Sequence, residues 1–556
     1  MPRPRVPFHT LSLCCLLLAG CSGPRPRDAG DNARRGGTFK LILQGLPETL
    51  DPPRIGYLPD WMVASFIYEG LVGYGDNATE LRPLLAESWV TSEGGRNWVF
   101  QLRDEVYFHA DPSFPAGRGR KVTASDVRYT FERIAQKATA CESWYLLSGK
   151  IEGIDDFREG RAAAIRGIRV LDDRHVEFRL TKPYATFLKV LASPTAYIVP
   201  REAVEFYGPS FGSLPVGTGP FRLVRWKPAE QLLFVRSDRY WRTDGRGTRL
   251  PYLDGIDIRV RAGASESVVL AEFLKGETHL FSAQEKLYDT LKKDVLNAQK
   301  CRVAGIVPTA ALRFLGFSLD TPSPFARHAE LRRAMAMSLD RGDLVRRAPE
   351  VNIILANSLA PPMFMERRFP WYPYDLAAAS TIFARHRQEL EQSPPVLASN
   401  FQSGEPALLQ AALAKAGVRS AVRITPANYY PYIVRERPTL FRVSFTPSFF
   451  DPEDYYCLFY SKSSKEVNLT GYRNPEYDQM LEAAMVEQDA ARRTRLFQSL
   501  EEILQRDVPA IYLTHGTPTY VVAALNVEGL TLRFLFTDLS AAWLSKTDAA
   551  RTQPQK

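Results

Sequence analysis

The sequence is poor in cysteine and histidine, and neither residue is spaced as a familiar metal motif. Only six cysteines and seven histidines occur among 556 residues. The histidines form no H-E-x-x-H motif and no pair at i,i+3 or i,i+4, so a catalytic zinc site of that kind is not supported. Beyond residue 21 the cysteines are Cys141, Cys301 and Cys457. Their wide separation excludes a disulfide framework and leaves open whether two of them pair.

The sequence also lacks a long apolar run after its first 20 residues. No later run reaches about eighteen residues, the length that crosses a bilayer as a helix. At the N-terminus, Arg3 and Arg5 precede a shorter apolar stretch that is typical of a secretory signal. The L-A-G-C sequence ending at Cys21 resembles the lipobox of bacterial lipoproteins; the alternative is an ordinary cleavage site that precedes a cysteine. We predict a signal peptide at 1–20, lipidation of Cys21 and a flexible tether at 21–35.

No strongly basic region stands out, although the chain is positively charged overall. The formal charge is +9 and falls to +7 when the two arginines of the predicted signal are removed. Because the positive residues are dispersed among acidic ones, nucleic-acid binding is not supported. A chain of 556 residues is too long for one compact core, and its composition is that of a globular protein. These features predict two or three lobes.

Two glycine-rich stretches fit the letters of enzyme motifs without the context that those motifs need. Residues 208–212 read G-P-S-F-G, but Pro209 and a following S-L-P break the strand and helix of a nucleophile elbow. Residues 216–221 read V-G-T-G-P-F, and no helix with Lys-Ser/Thr follows, as a phosphate cradle requires. Both favour tight turns. We predict that the protein is not an enzyme and that it uses no cofactor and no metal.

The most informative stretch runs from residue 81 to residue 134. It contains a half-buried strand at 98–103, with alternating apolar and polar residues, and a Gly/Pro-containing loop. Thr123 and Asp126 then form a capping box ahead of a helix with one apolar stripe. By itself the pattern indicates only a strand, a loop and a helix in an α/β domain.

The motifs within this stretch indicate a family. In order, they are P-x-L-A-E-S-W, W-x-F-x-L-R, V-x-F-H and V-T-A-S-D-V-R-Y-T-F. Their order and spacing resemble the peptide and nickel class of extracytoplasmic solute-binding proteins of ABC transporters, which includes oligopeptide- and dipeptide-binding proteins. One departure is a longer loop after Phe108-His109, where such proteins usually have a short F-H-D-G turn. The resemblance extends over roughly residues 36 to 545.

The resemblance implies an α/β fold of the periplasmic-binding-protein type, class II or cluster C, with three lobes around a hinged interdomain cleft. Lobe I is discontinuous, lobe II is small, and lobe III follows a crossing near residue 310. The implied boundaries are 36–72, 193–309 and 513–545 for lobe I, 73–192 for lobe II and 310–512 for lobe III.

The segment around residue 450 is implied to line the cleft. In peptide-binding members, a strand-end backbone pairs with an extended peptide, and an Asp three residues before a D/E-P pair binds the ligand's ammonium. In this chain Ser448 stands three residues before Asp451-Pro452. Since a hydroxyl does not replace a carboxylate as the partner of a desolvated ammonium, either Asp451, Glu453 or Asp454 takes over, or the ligand lacks a free amino terminus.

The full set of ligand-binding residues implied by this matching comprises backbone and side-chain contacts from both ends of the chain. They are Gly56, Tyr57, Leu58, Tyr429, Arg442, Phe445, Thr446, Ser448 and Asp451. The alternative for the later residues is an aromatic-rich strand end that is simply buried between lobes.

From these observations we predict a monomeric substrate-binding component of an ABC importer, lipid-anchored outside the cytoplasmic membrane. It would capture oligopeptides or peptide-like solutes, close by a hinge motion and deliver them to a membrane permease. A different solute, such as a metal chelate or an oligosaccharide, is an alternative motivated by Ser448. An alternative from another class is a lipoprotein enzyme or a chemosensory receptor. The ligand's identity and length and the membrane that carries the anchor stay open.

Overall fold

The structure of the chain is a computed structural model that describes most of the residues beyond the predicted signal. The described residues are 34–75, 80–292, 301–307, 310–347, 353–365, 369, 371–400, 404–425, 429–533 and 537–545. The predicted signal peptide, Cys21 and almost all of the tether lie outside them. Among the helices that are described, none combines the length and the apolar character needed to cross a membrane.

Helices and short 3-10 turns connect the strands along the whole chain. The α-helices are Leu58–Ile67, Ala124–Ala135, Ile154–Arg158, Phe187–Leu191, Arg201–Tyr207, Glu266–Leu274, Glu285–Leu291, Pro324–Arg327, Ala329–Ser338, Arg341–Arg347, Leu376–Arg385, Arg387–Gln392, Gly404–Lys415, Tyr429–Glu436, Glu453–Tyr456, Pro475–Val486 and Ala490–Asp507. The 3-10 helices are Pro52–Arg54, Glu93–Gly95, Pro115–Gly117, Lys137–Thr139, Trp144–Leu146, Pro194–Ala196, Gly208–Ser210 and Cys457–Phe459.

A four-stranded sheet, here called the first sheet, is built from widely separated segments. Its strands lie in the order Thr38–Leu43, Gly255–Val260, Gln231–Arg236 and Phe221–Lys227. The first pair is parallel and the other two pairs are antiparallel. Along the first strand Phe39, Leu41 and Leu43 are buried at every second position, as the alternation in the sequence predicts. The segment after residue 216 therefore returns to the strand that opens the fold.

A second four-stranded sheet carries the motif-rich stretch. Its order is Ala86–Ser92, Asn97–Leu102, His175–Arg179 and Ile168–Val170. The predicted capping box is confirmed, because the side chains of Thr123 and Asp126 each accept from the other residue's backbone N–H. Asp126 also forms a two-bond ion pair with Arg120, at 2.6 and 2.8 Å. One carboxylate thus starts the helix and fixes the long loop before it.

The first and second sheets share one continuous hydrophobic core. Phe39 and Ile256 of the first sheet belong to the same buried cluster as Phe100 and Phe178 of the second. Since no polar layer divides this cluster, we describe the two sheets with their helices as the first body. The three buried cysteines, Cys141, Cys301 and Cys457, are free thiols.

A six-stranded sheet, the third sheet, has two cores of its own, one on each face. Its order is Ile353–Leu355, Ala510–Gly516, Leu312–Phe317, Leu440–Phe445, Val396–Ser399 and Ala421–Ile424. We describe this sheet and its helices as the second body. The predicted lobe boundary between residues 512 and 513 falls inside the strand Ala510–Gly516, which remains paired in this sheet up to Gly516.

The chain crosses between the two bodies at two adjacent places. A three-stranded sheet in the first body has the order Leu280–Ala283, Thr519–Ala524 and Cys301–Val307. One crossing joins its last strand to Leu312–Phe317, and the other joins Ala510–Gly516 to its middle strand. At the crossings the Gly516 N–H donates to the Ala311 carbonyl at 3.0 Å. A pair of neighbouring connections is the typical geometry of a hinge.

Three two-stranded pairs complete the described sheets. They are Val72–Tyr74 with Leu81–Pro83, Val527–Glu528 with Trp543–Leu544, and Thr531–Leu532 with Thr537–Asp538.

The double role of Asp126 leads to a stability prediction. Asp126→Ala removes a helix cap and leaves the Arg120 guanidinium without that partner, so we expect it to lower the free energy of unfolding by about 2–4 kcal/mol. Asp104→Ala is the matched control, because Asp104 makes only an exposed ion pair with Lys121 and is expected to cost less than about 1 kcal/mol. Chemical denaturation of both variants measures the difference. Equal losses would contradict the assigned role.

Candidate ligand-binding site

Three buried carboxylates lie in the four residues 451–454, here called the acidic segment. The segment follows the third-sheet strand Leu440–Phe445 and runs into the short helix Glu453–Tyr456. Asp451 is 2% exposed, and Glu453 and Asp454 are fully buried. Each of the three accepts a hydrogen bond from the first body, from the region 145–189. The acidic segment is therefore the place where the two bodies meet through polar groups.

Asp451 joins cations from both bodies. Lys189 of the first body donates to its Oδ2 at 2.7 Å, and Arg493 of the second body binds both oxygens at 2.7 and 2.9 Å. Burial alone would raise the pKa of Asp451. The positive charges of Arg493 and Lys189 outweigh burial and lower the pKa to about 2. Asp451 is thus ionised at all physiological pH values. Its carboxylate is already engaged by two cations, so the predicted contact with a ligand ammonium is not favoured here.

Glu453 is bound in a similar way. Its carboxylate accepts from Lys150 at 3.0 Å and from Thr186 at 3.0 Å, both from the first body. Arg493 also donates to it, at 3.1 Å. Burial lowers the pKa of Lys150, yet the charge of Glu453 raises it above its ordinary value. Lys150 therefore stays charged beside Glu453.

Asp454 differs from its two neighbours because it makes no ion pair within the described part of the chain. The Tyr145 hydroxyl donates to its Oδ1 at 2.6 Å, and the backbone N–H of Ser448 donates to its Oδ2. Burial is the main cause that raises the pKa of Asp454, to about 7. The charge of the Asp454 carboxylate can be neutralised by a nearby cation or by a proton. It also lies against Ser448, the position where the resemblance implies a carboxylate.

Further contacts show that the two bodies are closed on each other. The Ala185 N–H donates to the Met485 carbonyl at 3.0 Å. Gln488 donates to the Pro183 carbonyl at 2.7 Å. On the opposite side of the acidic segment, the Phe450 N–H donates to the Tyr74 hydroxyl at 2.9 Å. Opening the hinge would break these bonds together with those of the acidic segment.

The predicted contacts from the beginning of the chain lie at the N-terminal end of the helix Leu58–Ile67. Tyr57 and Leu58 are exposed, at 48% and 42%, although large apolar side chains are usually buried. Burial and the nearby charges of Glu48, Tyr430 and Glu142 raise the pKa of Tyr57. Gly56 lies beside the Glu142 side chain. Residues of both bodies therefore converge around Tyr57.

Two predicted contacts of the second body are structural in this arrangement. Tyr429 is 4% exposed. Its hydroxyl accepts from the Arg442 N–H at 2.9 Å and lies 2.9 Å from the Ala398 carbonyl. It therefore braces two strands of the third sheet, and Arg442 is buried beside it. The neighbouring Tyr430 donates its hydroxyl to the Ser444 carbonyl at 3.2 Å.

The remaining predicted contacts lie between the third sheet and the acidic segment. Phe445 and Thr446 are half-buried, and the Phe445 ring packs on Tyr455 with centroids 5.3 Å apart. Ser448 is 7% exposed. The structure thus brings Ser448 into contact with Asp454 and Phe445 into contact with the adjacent Tyr455.

Sequence reasoning missed the groups that face the acidic segment. These are Tyr145, Lys150, Thr186 and Lys189 of the first body and Arg493 of the second. Each is an ordinary residue within a helix or turn, and no local pattern marks it. Pairing them with the acidic segment needs the three-dimensional fold.

Two other cavities lie apart from the predicted contacts. A cavity of about 50 Å³ at the edge of the first body is lined by Glu69, Arg82, Arg242, Arg533 and Asp538 among others. A wider groove of about 960 Å³ lies among the helices at 376–419 of the second body. Neither contains a residue of the acidic segment. The convergence of polar groups from both bodies, rather than cavity size, therefore defines the candidate site.

Comparison with known proteins gives the same fold. The dipeptide-binding protein DppE of Bacillus subtilis (strain 168) is 26% identical over 523 residues, covering 89% of this chain and 90% of DppE. The structure of Helicobacter pylori DppA in complex with the peptide STSA has a TM-score of 0.75 at 21% identity, covering 93% of this chain and 100% of that one. The Escherichia coli murein tripeptide binding protein MppA has a TM-score of 0.74 at 20% identity, covering 92% and 99%.

These likenesses confirm the predicted α/β solute-binding fold. A family model described as bacterial extracellular solute-binding proteins, family 5, middle region, matches residues 80–466. That range includes the motif-rich stretch, the strands Cys301–Val307 and Leu312–Phe317 of the first crossing, and the acidic segment. Because it spans well over half of the sequence, this chain belongs to the family 5 bacterial extracellular solute-binding proteins.

Proposed function

We propose that this protein captures peptides outside the cytoplasmic membrane and delivers them to the permease of an ABC importer. The observation that carries the proposal is the acidic segment, where three buried carboxylates meet the first body and Asp454 makes no ion pair with a described residue. The names of relatives such as dipeptide-binding protein DppE and the periplasmic oligopeptide-binding protein OppA of Salmonella typhimurium support the same class of ligand.

In this proposal the peptide lies extended between the two bodies. Its main chain pairs with the strand end at Phe445 and Thr446 and with the segment 56–58, because backbone pairing gives affinity without selecting side chains. Its ammonium group binds Asp454. The Asp454 carboxylate takes the part that the resemblance places at Ser448, whose backbone N–H holds it in position. Binding follows opening of the hinge, which separates Tyr145 from Asp454.

A second candidate is a solute without a free amino terminus, such as a metal chelate or an oligosaccharide. Ser448 favours this candidate, because the position lacks the expected carboxylate. In that case Asp454 would accept a hydrogen bond from an uncharged group of the solute. Its carboxyl would remain protonated near pH 7, in keeping with its raised pKa. The two candidates differ in whether a charged ammonium is needed.

We further propose that the mature protein is a monomer anchored through lipidated Cys21 on the outer side of a membrane. The L-A-G-C sequence supports the anchor, and the family's extracellular location agrees with it. The proposal includes no catalytic step: the solute is bound, enclosed and released unchanged. A permease would bind the closed form, in which both bodies present one fixed surface.

Peptide binding is tested by comparing tri- to pentapeptides that have free or acetylated amino termini. We expect micromolar or tighter binding of free peptides and at least tenfold weaker binding after acetylation, because a buried carboxylate would lose its partner. Isothermal titration calorimetry measures both. Asp454→Asn should abolish the preference for the free amine, whereas Asp104→Asn, on an exposed loop, should retain it. Equal affinity for free and acetylated peptides would favour the second candidate.

The raised pKa of Asp454 gives a pH dependence with a definite sign. Below pH 7 the carboxyl is protonated and does not attract an ammonium, so affinity for a free peptide should rise about tenfold or more from pH 5.5 to 7.5. Burial also raises the pKa values of Asp60 and Glu501 to about 7, so Asp454→Asn serves as the reference. Titrations of both proteins at several pH values measure the slope. An identical slope in Asp454→Asn would contradict the assignment.

The ion pair between Lys189 and Asp451 should favour the closed form. Lys189→Met leaves Asp451 paired with Arg493 alone. Since the lysine is 28% exposed, we expect the free energy of closure to become less favourable by about 1–2 kcal/mol, which corresponds to about five- to thirtyfold weaker ligand binding. Lys182→Met is the matched control: its ion pair with Glu482 is longer, at 3.6 Å, and exposed. Small-angle X-ray scattering should show a larger radius of gyration for Lys189→Met only. Unchanged scattering and affinity would contradict a role in closure.

A further inference from the structure

We propose that the second body binds a divalent transition-metal ion of the zinc type at His328, His386 and Glu389. This site is separate from the acidic segment, and the proposal is independent of the proposed function. One ligand atom from each of the three side chains lies within 4.8 Å of the other two. Imidazole and carboxylate together suit zinc, nickel or copper better than calcium or magnesium, which prefer oxygen ligands alone.

The distances among the three side chains fit a single small cation. His328 Nε2 lies 3.4 Å from the Glu389 carboxylate, and His386 Nδ1 lies 3.3 Å from Glu389 Oε1. Zinc binds nitrogen at about 2.0–2.1 Å with tetrahedral angles, which places neighbouring ligand atoms about 3.3–3.4 Å apart. Glu389 is therefore already spaced from each histidine as two ligands of one ion would be. The two histidine nitrogens lie within 4.8 Å of each other.

The second nitrogen of His386 has the partner that metal-bound histidines usually have. Its Nε2 lies 2.6 Å from Glu330 Oε1, so the ring donates its Nε2–H to a carboxylate. Nδ1, which faces Glu389 Oε1 at 3.3 Å, is the nitrogen that a metal would bind in place of a proton. A carboxylate in this position fixes the tautomer and makes the ring a stronger ligand. This contact is a second observation, beside the three-atom cluster, that points to a metal.

The site lies where three helices meet, which holds its parts in place. His328 precedes the helix Ala329–Ser338, and His386 stands between the helices Leu376–Arg385 and Arg387–Gln392. The two rings lie 4.5 Å apart, centroid to centroid. The His386 side chain is 12% exposed, whereas the His328 and Glu389 side chains are about one-third exposed. A metal would thus have its open side toward solvent, with water as a fourth ligand.

Two arginines moderate the affinity of the site. Arg327 donates to Glu389 at 2.7 Å, and Arg385 donates to Glu330 at 3.0 Å. With two carboxylates and two guanidinium groups the surroundings carry no net formal charge, so micromolar rather than tighter affinity is expected.

Equilibrium dialysis of the full chain against Zn²⁺, with elemental analysis, tests the proposal. We expect one bound zinc per chain. His386→Ala and His328→Ala should each lower the affinity for zinc at least a hundredfold. Glu330→Gln should weaken binding ten- to a hundredfold while leaving one site, because it removes only the partner of the second nitrogen. His175→Gln is the matched control: this exposed histidine bonds to Asp172 alone and should not affect zinc binding.

X-ray absorption at the zinc edge identifies the ligands independently of affinity and of the variants' stability. Two imidazole nitrogens with one or two oxygens would support the site. Sulfur in the first shell, an unchanged zinc content in both histidine variants, or no zinc retained at 100 µM would overturn it. Circular dichroism of each variant shows whether the fold is retained. Glu330→Gln keeps all three ligands, so weaker zinc binding in this variant does not result from a missing ligand.

Discussion

The contact on which the closed structure depends is the buried acidic segment between the two bodies. Isolated carboxylates are costly to bury, and they persist in a protein interior only when cations or hydrogen-bond donors surround them. Asp451 and Glu453 meet this condition with Lys189, Lys150 and Arg493. Since the lysines come from the first body and the arginine from the second, the condition is met only when the two bodies are together. Separation of the two bodies would expose all of these groups to water, which would then solvate them in place of their protein partners.

The rest of the fold determines how this contact opens. The first and second sheets share one hydrophobic core, so they move together, whereas the third sheet carries separate cores on its two faces. Close-packed cores resist deformation more than extended connections do. Bending between the bodies is therefore least costly outside these cores, where the chain passes from one body to the other. The bond from Gly516 to Ala311 joins these two places, which favours bending at one hinge.

Local signals in the sequence predicted much of this fold, because they depend on short-range physics. The capping box at Thr123 and the alternation from Phe39 to Leu43 are each set by residues within a few positions. Contacts across the cleft could not be predicted in this way. Lys189 lies 262 residues before Asp451, and Tyr145 lies 309 residues before Asp454. The burial of Tyr429 against two strands has the same origin, since the face that a helix presents depends on how it packs.

In the proposed function, Asp454 links ligand binding to closure through the free energy of one buried charge. A carboxyl whose pKa is raised from 3.8 to about 7 is disfavoured as an anion by roughly 4 kcal/mol relative to water. In the closed protein without ligand, that cost is avoided only by taking up a proton. A ligand ammonium that enters the open cleft neutralises the same charge, and closure then excludes water from an attractive pair instead of from a single anion. The free energy of closing is thus more favourable with a cationic ligand than without one, and solute capture and domain closure become one equilibrium.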